Sequence, residues 1–339
     1  MKSEYKDDWI TYFKAIGIML VVVGHTYIPN NVKNFIYLFH MPMFFFISGY
    51  LYKEKDSYAP IKYFKKKLKR LYFEFIKWQC IFLVFHNFLV LIKFYPKNSS
   101  YNLKEILECF FKIISFQSTE QLGGAMWFIP ALFGTSVIFC IIRFIVLKFD
   151  NKFQKFLNII LIVICMIIGY TTNLPRFLSV SFSAISIFYI GFIYRKFEKK
   201  IVLNLQGVII SLIILLVLNQ FGSINMVNNS YETICFLIVA SLSGIYINIY
   251  IAKIISNREG INKLFFLVGK RTMDIMILHF VAFKLVSIII IITNNLSFEL
   301  LSNFPTINIG GYWNIAYFFI GLLFPLLRES INKKYHIIE

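Results

Sequence analysis

Apolar stretches long enough to cross a bilayer recur from residue 9 to residue 327, and a chain patterned this way cannot hide its hydrocarbon inside one soluble core. A helix needs about 20 mainly apolar residues to span the hydrocarbon layer. Ten segments approach that length, at about 9–28, 34–52, 71–94, 124–147, 156–173, 177–194, 202–219, 232–252, 273–293 and 311–327. Backbone polar groups in lipid must be satisfied within their own segment, so each segment is expected to be helical. The composition agrees, with 58% hydrophobic and 15% charged residues in 339. The expected fold is all-α: a polytopic membrane bundle of about ten transmembrane helices, forming one integral-membrane domain over 1–339.

A net charge of +18 would suggest a nucleic-acid partner for a soluble protein, so the placement of the charges decides. With the N-terminus inside, the inner segments carry 25 Lys and Arg residues and the outer ones only 5, namely Lys33, Lys97, Lys104, Lys112 and Arg176. That asymmetry predicts cytoplasmic termini and a multi-pass protein of the inner (cytoplasmic) membrane, with lipid rather than nucleic acid around it. The first span is too long for a cleavable signal, is interrupted by Lys14, and lacks a small-x-small cleavage site. Five scattered cysteines without a CxxC pair predict neither disulfides nor a metal site. No phosphate-cradling or dinucleotide motif occurs, so no bound cofactor is expected.

Two loops stand out. The inner loop of about 53–70 contains Lys62 to Arg70, KYFKKKLKR, which reads either as an orientation signal against anionic headgroups or as a phosphate clamp for a cytosolic ligand. In the outer loop of about 95–123, Asn102 to Gln117 places Leu103, Ile106, Leu107, Phe110, Phe111 and Ile114 at helical spacing. That pattern predicts a helix lying in the outer interface.

Ionisable residues inside apolar helices are costly and mark function first. Lys14 and His25 lie eleven residues apart in the first segment. At about 100° per residue they return to within roughly 20° of one face, about 16 Å apart along the axis. His40 opens the second segment at about the depth where His25 closes the first. Ser48 lies two turns deeper, a candidate interhelical hydrogen-bonding residue, and Gly49 permits close helix packing. Asp274 and His279 fall on the inner half of the ninth segment near Lys270 and Arg271, and Glu232 near the outer end of the eighth. Trp127 stands at belt depth, where an indole ring also suits a sugar face.

Taken in order, Lys14-x10-His25, the run from Phe39 to Leu51 (FHMPMFFFISGYL), Lys67-Leu-Lys-Arg70, the run from Trp127 to Phe133 (WFIPALF) and the run from Gly269 to His279 (GKRTMDIMILH) resemble the integral-membrane acyltransferase family 3, within it the fucose 4-O-acetylase-like members that modify bacterial surface sugars. The resemblance spans nearly the whole chain. It implies transfer of an acyl group, usually acetyl, from cytosolic acyl-CoA as co-substrate to a hydroxyl of a cell-surface or lipid-linked glycan. By position, Lys14 and His25 match the family's basic-x10-His pair, and Lys67 with Arg70 its Arg-x-x-Arg motif. Two departures follow: Lys67 replaces an Arg, which loosens a bidentate grip on phosphate, and Thr11 stands where many members carry Asp, with Asp7 and Asp8 just upstream.

On this reading His25 and Lys14 are catalytic, and Lys67, Arg70, Asp274 and His279 bind acyl-CoA. His40, Trp127 and Glu232 meet the acceptor. An imidazole titrating near about 6.5 suits proton removal from a hydroxyl, and a covalent acetyl-imidazole is the alternative. Two rivals stand beside it. One is a transporter or exporter of a glycan or metabolite with proton-coupled Lys and His, although matched Gly/Pro interruptions of broken helices are missing. The other is an acyltransferase acting on a cytosolic small molecule. A homo-oligomer is compatible with all three.

Overall fold

The computed structural model describes residues 9–172, 174–257 and 262–327. Asp7 and Asp8 lie outside them. The described chain is helical apart from one two-residue strand pair, β1 (Ile224–Asn225) with β2 (Ser230–Tyr231). In chain order the helices are α1 (Trp9–Gly24), α2 (Asn30–Tyr37), α3 (His40–Tyr50), α4 (Pro60–Lys67), α5 (Phe73–Val84), α6 (His86–Leu91), α7 (Leu103–Ile114) and α8 (Phe128–Val146). They continue with α9 (Asn151–Thr171), α10 (Arg176–Ser183), α11 (Ile185–Phe197), α12 (Leu205–Phe221), α13 (Ile234–Ser256), α14 (Asn262–Lys270), α15 (Thr272–Thr293) and α16 (Trp313–Leu323).

Each of the ten apolar segments contains helix, but the helix lengths do not give ten spans. Gln121–Val146, Asn151–Thr171, Ile234–Ser256 and Thr272–Thr293 are long and apolar enough to cross a membrane alone. The pair Phe177–Ser183 and Ile185–Lys200, bent by 41°, makes a fifth if counted as one. Trp9–Gly24, Leu205–Phe221 and Trp313–Leu326 are apolar but shorter.

The remaining segments are broken for local reasons that hydropathy does not register. Pro42 has no N–H to offer the Leu38 carbonyl and its ring would clash there, so the second segment stops at Tyr37 and restarts at His40. The third segment breaks at Phe85, where His86 is drawn into polar contacts described below. At the α10–α11 bend the Ser181 hydroxyl donates to the carbonyls of Phe177 and Ala131, competing with the helix ladder.

The outer helix expected from Asn102 forms as α7, and the reason is visible. Asn102 Oδ1 accepts from the Glu105 N–H at 3.0 Å while the Glu105 carboxylate accepts from the Asn102 N–H at 2.8 Å, a reciprocal cap.

The chain packs as two compact units, each assembled from separated stretches. The first comprises Met1–Pro29, Phe75–Met126 and Arg258–Glu339. Here α1 packs on α14, α15 and α16. The Gly269 position lies so close to α1 that a Cβ would stand 2.0 Å from the Thr11 carbonyl oxygen, and the Ser287 hydroxyl pairs with Tyr317 OH at 2.8 Å between α15 and α16.

The second unit comprises Asn30–Glu74 and Trp127–Asn257. Its tightest crossing joins α3 to α11, where a Cβ on Gly49 would come within 1.8 Å of the Phe188 carbonyl oxygen and one on Gly191 within 2.0 Å of that of Phe46. Next to it Tyr52, Phe139, Phe188 and Phe192 form the aromatic centre of a buried cluster. Burial separates helices by role: 67% of the apolar window of α15 is covered but only 28% of that of α9, so polar groups on α15 face protein and must find partners there.

Candidate functional site

The first helix ends at Gly24 and His25 sits in the turn that follows, its N–H donating to the Val22 carbonyl at 3.2 Å. Its half-buried ring lies 5.3 Å from that of His279, nearly parallel at 28°, and 4.8 Å from that of Phe280. Lys14 is half-buried within α1, and His25 lies one residue past the end of that helix.

His279 is fully buried. Its Nδ1 lies 2.9 Å from the Ile275 carbonyl oxygen one turn back. A carbonyl only accepts, so Nδ1 carries the proton, and in the neutral ring Nε2 bears the lone pair. That Nε2 is buried and has no hydrogen-bond partner among the described residues. A buried acceptor left unpaired costs about 1–3 kcal/mol, a cost that a bound hydroxyl would remove.

The sequence separated these two histidines by depth, His25 near the outer face and His279 on the inner half with Lys270 and Arg271. The structure brings their rings into contact. The reason lies in the packing: Gly269 on α14 lies against Thr11 near the start of α1, and α15 packs on α1 with its eighth residue, His279, against the turn that ends that helix. Asp274 remains near the start of α15 in an ion pair with Arg271 at 3.4 Å, and Lys270 covers the Phe266 ring at 4.9 Å.

The wall behind the two imidazoles is aromatic. Phe280 packs on Phe304 at 4.6 Å and His279 on Phe283 at 5.6 Å. One residue further on α15, Lys284 is fully buried, and its Nζ donates to the carbonyls of Leu301 at 2.6 Å and Asn303 at 2.9 Å. It ties the segment ending at Phe304 to α15. Sequence reading passed over Lys284, although a lone cation in a 22-residue apolar helix was signal enough.

In the second unit, Lys67 and Arg70 stand where the path from α4 to α5 widens into one π-helical turn, Leu68–Tyr72. Such turns are rare and recur at functional positions because they break the regular side-chain spacing. Lys67 is half-buried with Nζ 5.3 Å above the Tyr63 ring, and Arg70 is exposed. Burial, reinforced by the positive charges of Arg70 and Lys66, pushes the Lys67 ammonium down to about 8. The loop before it is stitched by ions. Glu54 pairs with the buried Arg143 and with Lys196 at 3.0 Å, and Asp56 with Lys66 at 3.8 Å.

The three residues expected at the acceptor are engaged separately. His40 is buried, donates from Nδ1 to the Ile36 carbonyl at 3.0 Å, and packs on Tyr37 at 4.8 Å. Trp127 is half-buried beside Phe128. Glu232 is exposed and packs against Gly222. Ser48 is half-buried on α3, one residue before the Gly49 crossing.

A further pair had no sequence signature. His86 and Glu120, 4% and 2% exposed, meet at 2.8 Å between Nδ1 and Oε2. His86 Nε2 lies 2.7 Å from the Ser99 carbonyl oxygen, and its ring stacks on Tyr101 at 3.6 Å. Both nitrogens are therefore engaged, and the pair ties α6 to the segments around Ser99 and Glu120.

The family model described as an acyltransferase domain matches residues 7–326 and so runs through both units. No curated protein and no solved structure matches the chain.

Proposed function

Because the chain belongs to acyltransferase family 3, which makes it a membrane protein of the acyl-transferring kind, we propose that it moves an acyl group, acetyl in the first instance, from cytosolic acyl-CoA to a hydroxyl of a cell-surface or lipid-linked glycan, in the manner of the fucose 4-O-acetylase-like members. Its place is the cytoplasmic membrane, with both termini inside. CoA is a polyanion, and the basic side chains that suit its phosphates are Lys67, which ends α4, and Arg70 on the π-turn that follows, while Lys14 acts with His25 in the transfer. His25 promotes the transfer itself. In net terms the acyl carbon exchanges its bond to sulfur for one to the acceptor oxygen, and the acceptor's proton ends on the CoA thiol.

The observation that carries this reading is the position of His25: it lies one residue past the end of the helix that bears Lys14, partly exposed, with the rings of His279 and Phe280 packed against its own. Positioned imidazole bases are worth about 10²–10⁴ in rate.

The test is label transfer from radiolabelled acetyl-CoA to crude bacterial surface glycan by the protein in nanodiscs. Label in the glycan with wild type and none with His25→Ala, at equal insertion and thermal stability, supports the reading. Robust transfer by His25→Ala removes His25 from the chemistry, and indifference of the wild-type protein to acetyl-CoA and CoA removes the donor.

A further inference from the structure

Resting on that acyl-transfer reading, we propose that the two imidazoles divide the reaction: His25 carries the acetyl group as a covalent intermediate, and His279 is the base that deprotonates the acceptor hydroxyl. His279 fits only a proton-accepting role. Its Nδ1–H is committed to the Ile275 carbonyl, and its free lone pair on Nε2 is buried, unpartnered among the described residues and next to the His25 ring. His25 is the more exposed of the two, at a helix end rather than within a helix, which suits the ring that must reach a thioester. Two rings at 5.3 Å do not both hold a positive charge readily, so the pair takes up one extra proton at a time.

The steps balance without another reactant. A His25 nitrogen attacks the thioester carbon, the C–S bond breaks with its electrons on sulfur, and the N–H proton of His25 goes to the thiolate, giving CoA thiol and neutral N-acetyl-His25. The acceptor oxygen then attacks the acetyl carbon as its proton moves to His279 Nε2. The C–N bond breaks with its electrons returning to His25, which takes up one proton while His279 gives one up, so that both imidazoles end neutral. The Lys284 clamp on Leu301 and Asn303, followed directly by Phe304 on Phe280, holds the wall against which both rings rest.

Two reactions of the nanodisc-embedded protein separate the roles: exchange of labelled CoA into acetyl-CoA without acceptor, which needs only acetyl-His25, and transfer to crude surface glycan. His279→Asn keeps an N–H near the Ile275 carbonyl but removes Nε2. It is expected to lower transfer at least 100-fold more than exchange, with acetylated His25 accumulating and detectable by peptide mass spectrometry. His279→Gln, closer in volume, guards against a folding defect and is expected to show the same split. Wild-type transfer without exchange and without label on His25 overturns the intermediate. Transfer near the wild-type rate in either variant, or equal loss of both reactions in both variants, overturns the base. A wild-type protein that consumes no acetyl-CoA at all defeats the acyl-transfer reading itself, which is a different result from any of these.

Discussion

Two buried histidines of the first unit, both invisible as a pair-forming group in the sequence, end in opposite chemical states. His86 has Glu120 on one nitrogen and the Ser99 carbonyl on the other. His279 has the Ile275 carbonyl on one nitrogen and nothing among the described residues on the other. An imidazole whose two nitrogens both donate to buried acceptors is a cross-link, because losing either N–H breaks a buried hydrogen bond. One with a free lone pair next to a second imidazole can still accept a proton without breaking a bond. Burial alone therefore does not mark a functional histidine; the count of satisfied nitrogens does.

That contrast can be broken at several points. The largest effect is expected from His25→Ala, which should lower acetyl transfer by about 10²–10⁴-fold with little change in thermal midpoint; a comparable loss of stability would reduce the His25 region to a packing site like that of His86. His86→Ala should do the reverse and cost about 3–5 kcal/mol of stability, because Glu120 is left charged and buried. Denaturant or thermal unfolding in detergent reads this directly, and replacing both partners with leucine should recover much of the loss.

Lys284→Met tests whether the wall behind the pair matters. It strands two carbonyls, for which about 1–3 kcal/mol is expected, together with a loss of transfer smaller than that of His25→Ala as Phe304 loosens from Phe280. Wild-type stability and activity in that variant would detach the wall from the site.

The smallest effect concerns the donor grip in the second unit. The Lys67 pKa in the folded chain lies near about 8, below its ordinary value of 10.5. Between these values the unfolded chain binds more protons, so the Lys67 contribution to stability rises with pH across that window. Its grip on an anion moves the other way, since the ammonium is lost above about 8. The KM for acetyl-CoA should climb above pH 8 in wild type and stay flatter in Lys67→Arg, whose guanidinium remains charged. Parallel profiles would remove Lys67 from the donor site.

Local pattern made much of the fold legible. Apolar runs located helices, Asn102 and Glu105 marked the start of α7, and the spacing of Lys14 and His25 put both on α1 with its terminal turn. The same reading did not show where the segments are interrupted. Hydropathy averages over a window, whereas the breaks at Leu38–Phe39, Phe85 and Ala184 come from one proline, one buried polar contact and one serine hydroxyl. Among the site residues, His25 and Lys14 were visible as ions in an apolar helix. Lys284 was equally visible and missed, and His86 was lost among aromatic residues.

By itself the sequence determined the helical, membrane-type class of the molecule and where most of its helices lie, because hydrophobicity and helix periodicity are carried by each residue and its near neighbours. Only the tertiary structure decided which of them meet. The packing of α15 on α1 brings His279 to His25, and the folding back of the segment around Glu120 gives His86 its carboxylate. Such pairings depend on how far one helix slides along another, a quantity that close packing of side chains sets and that no single segment contains.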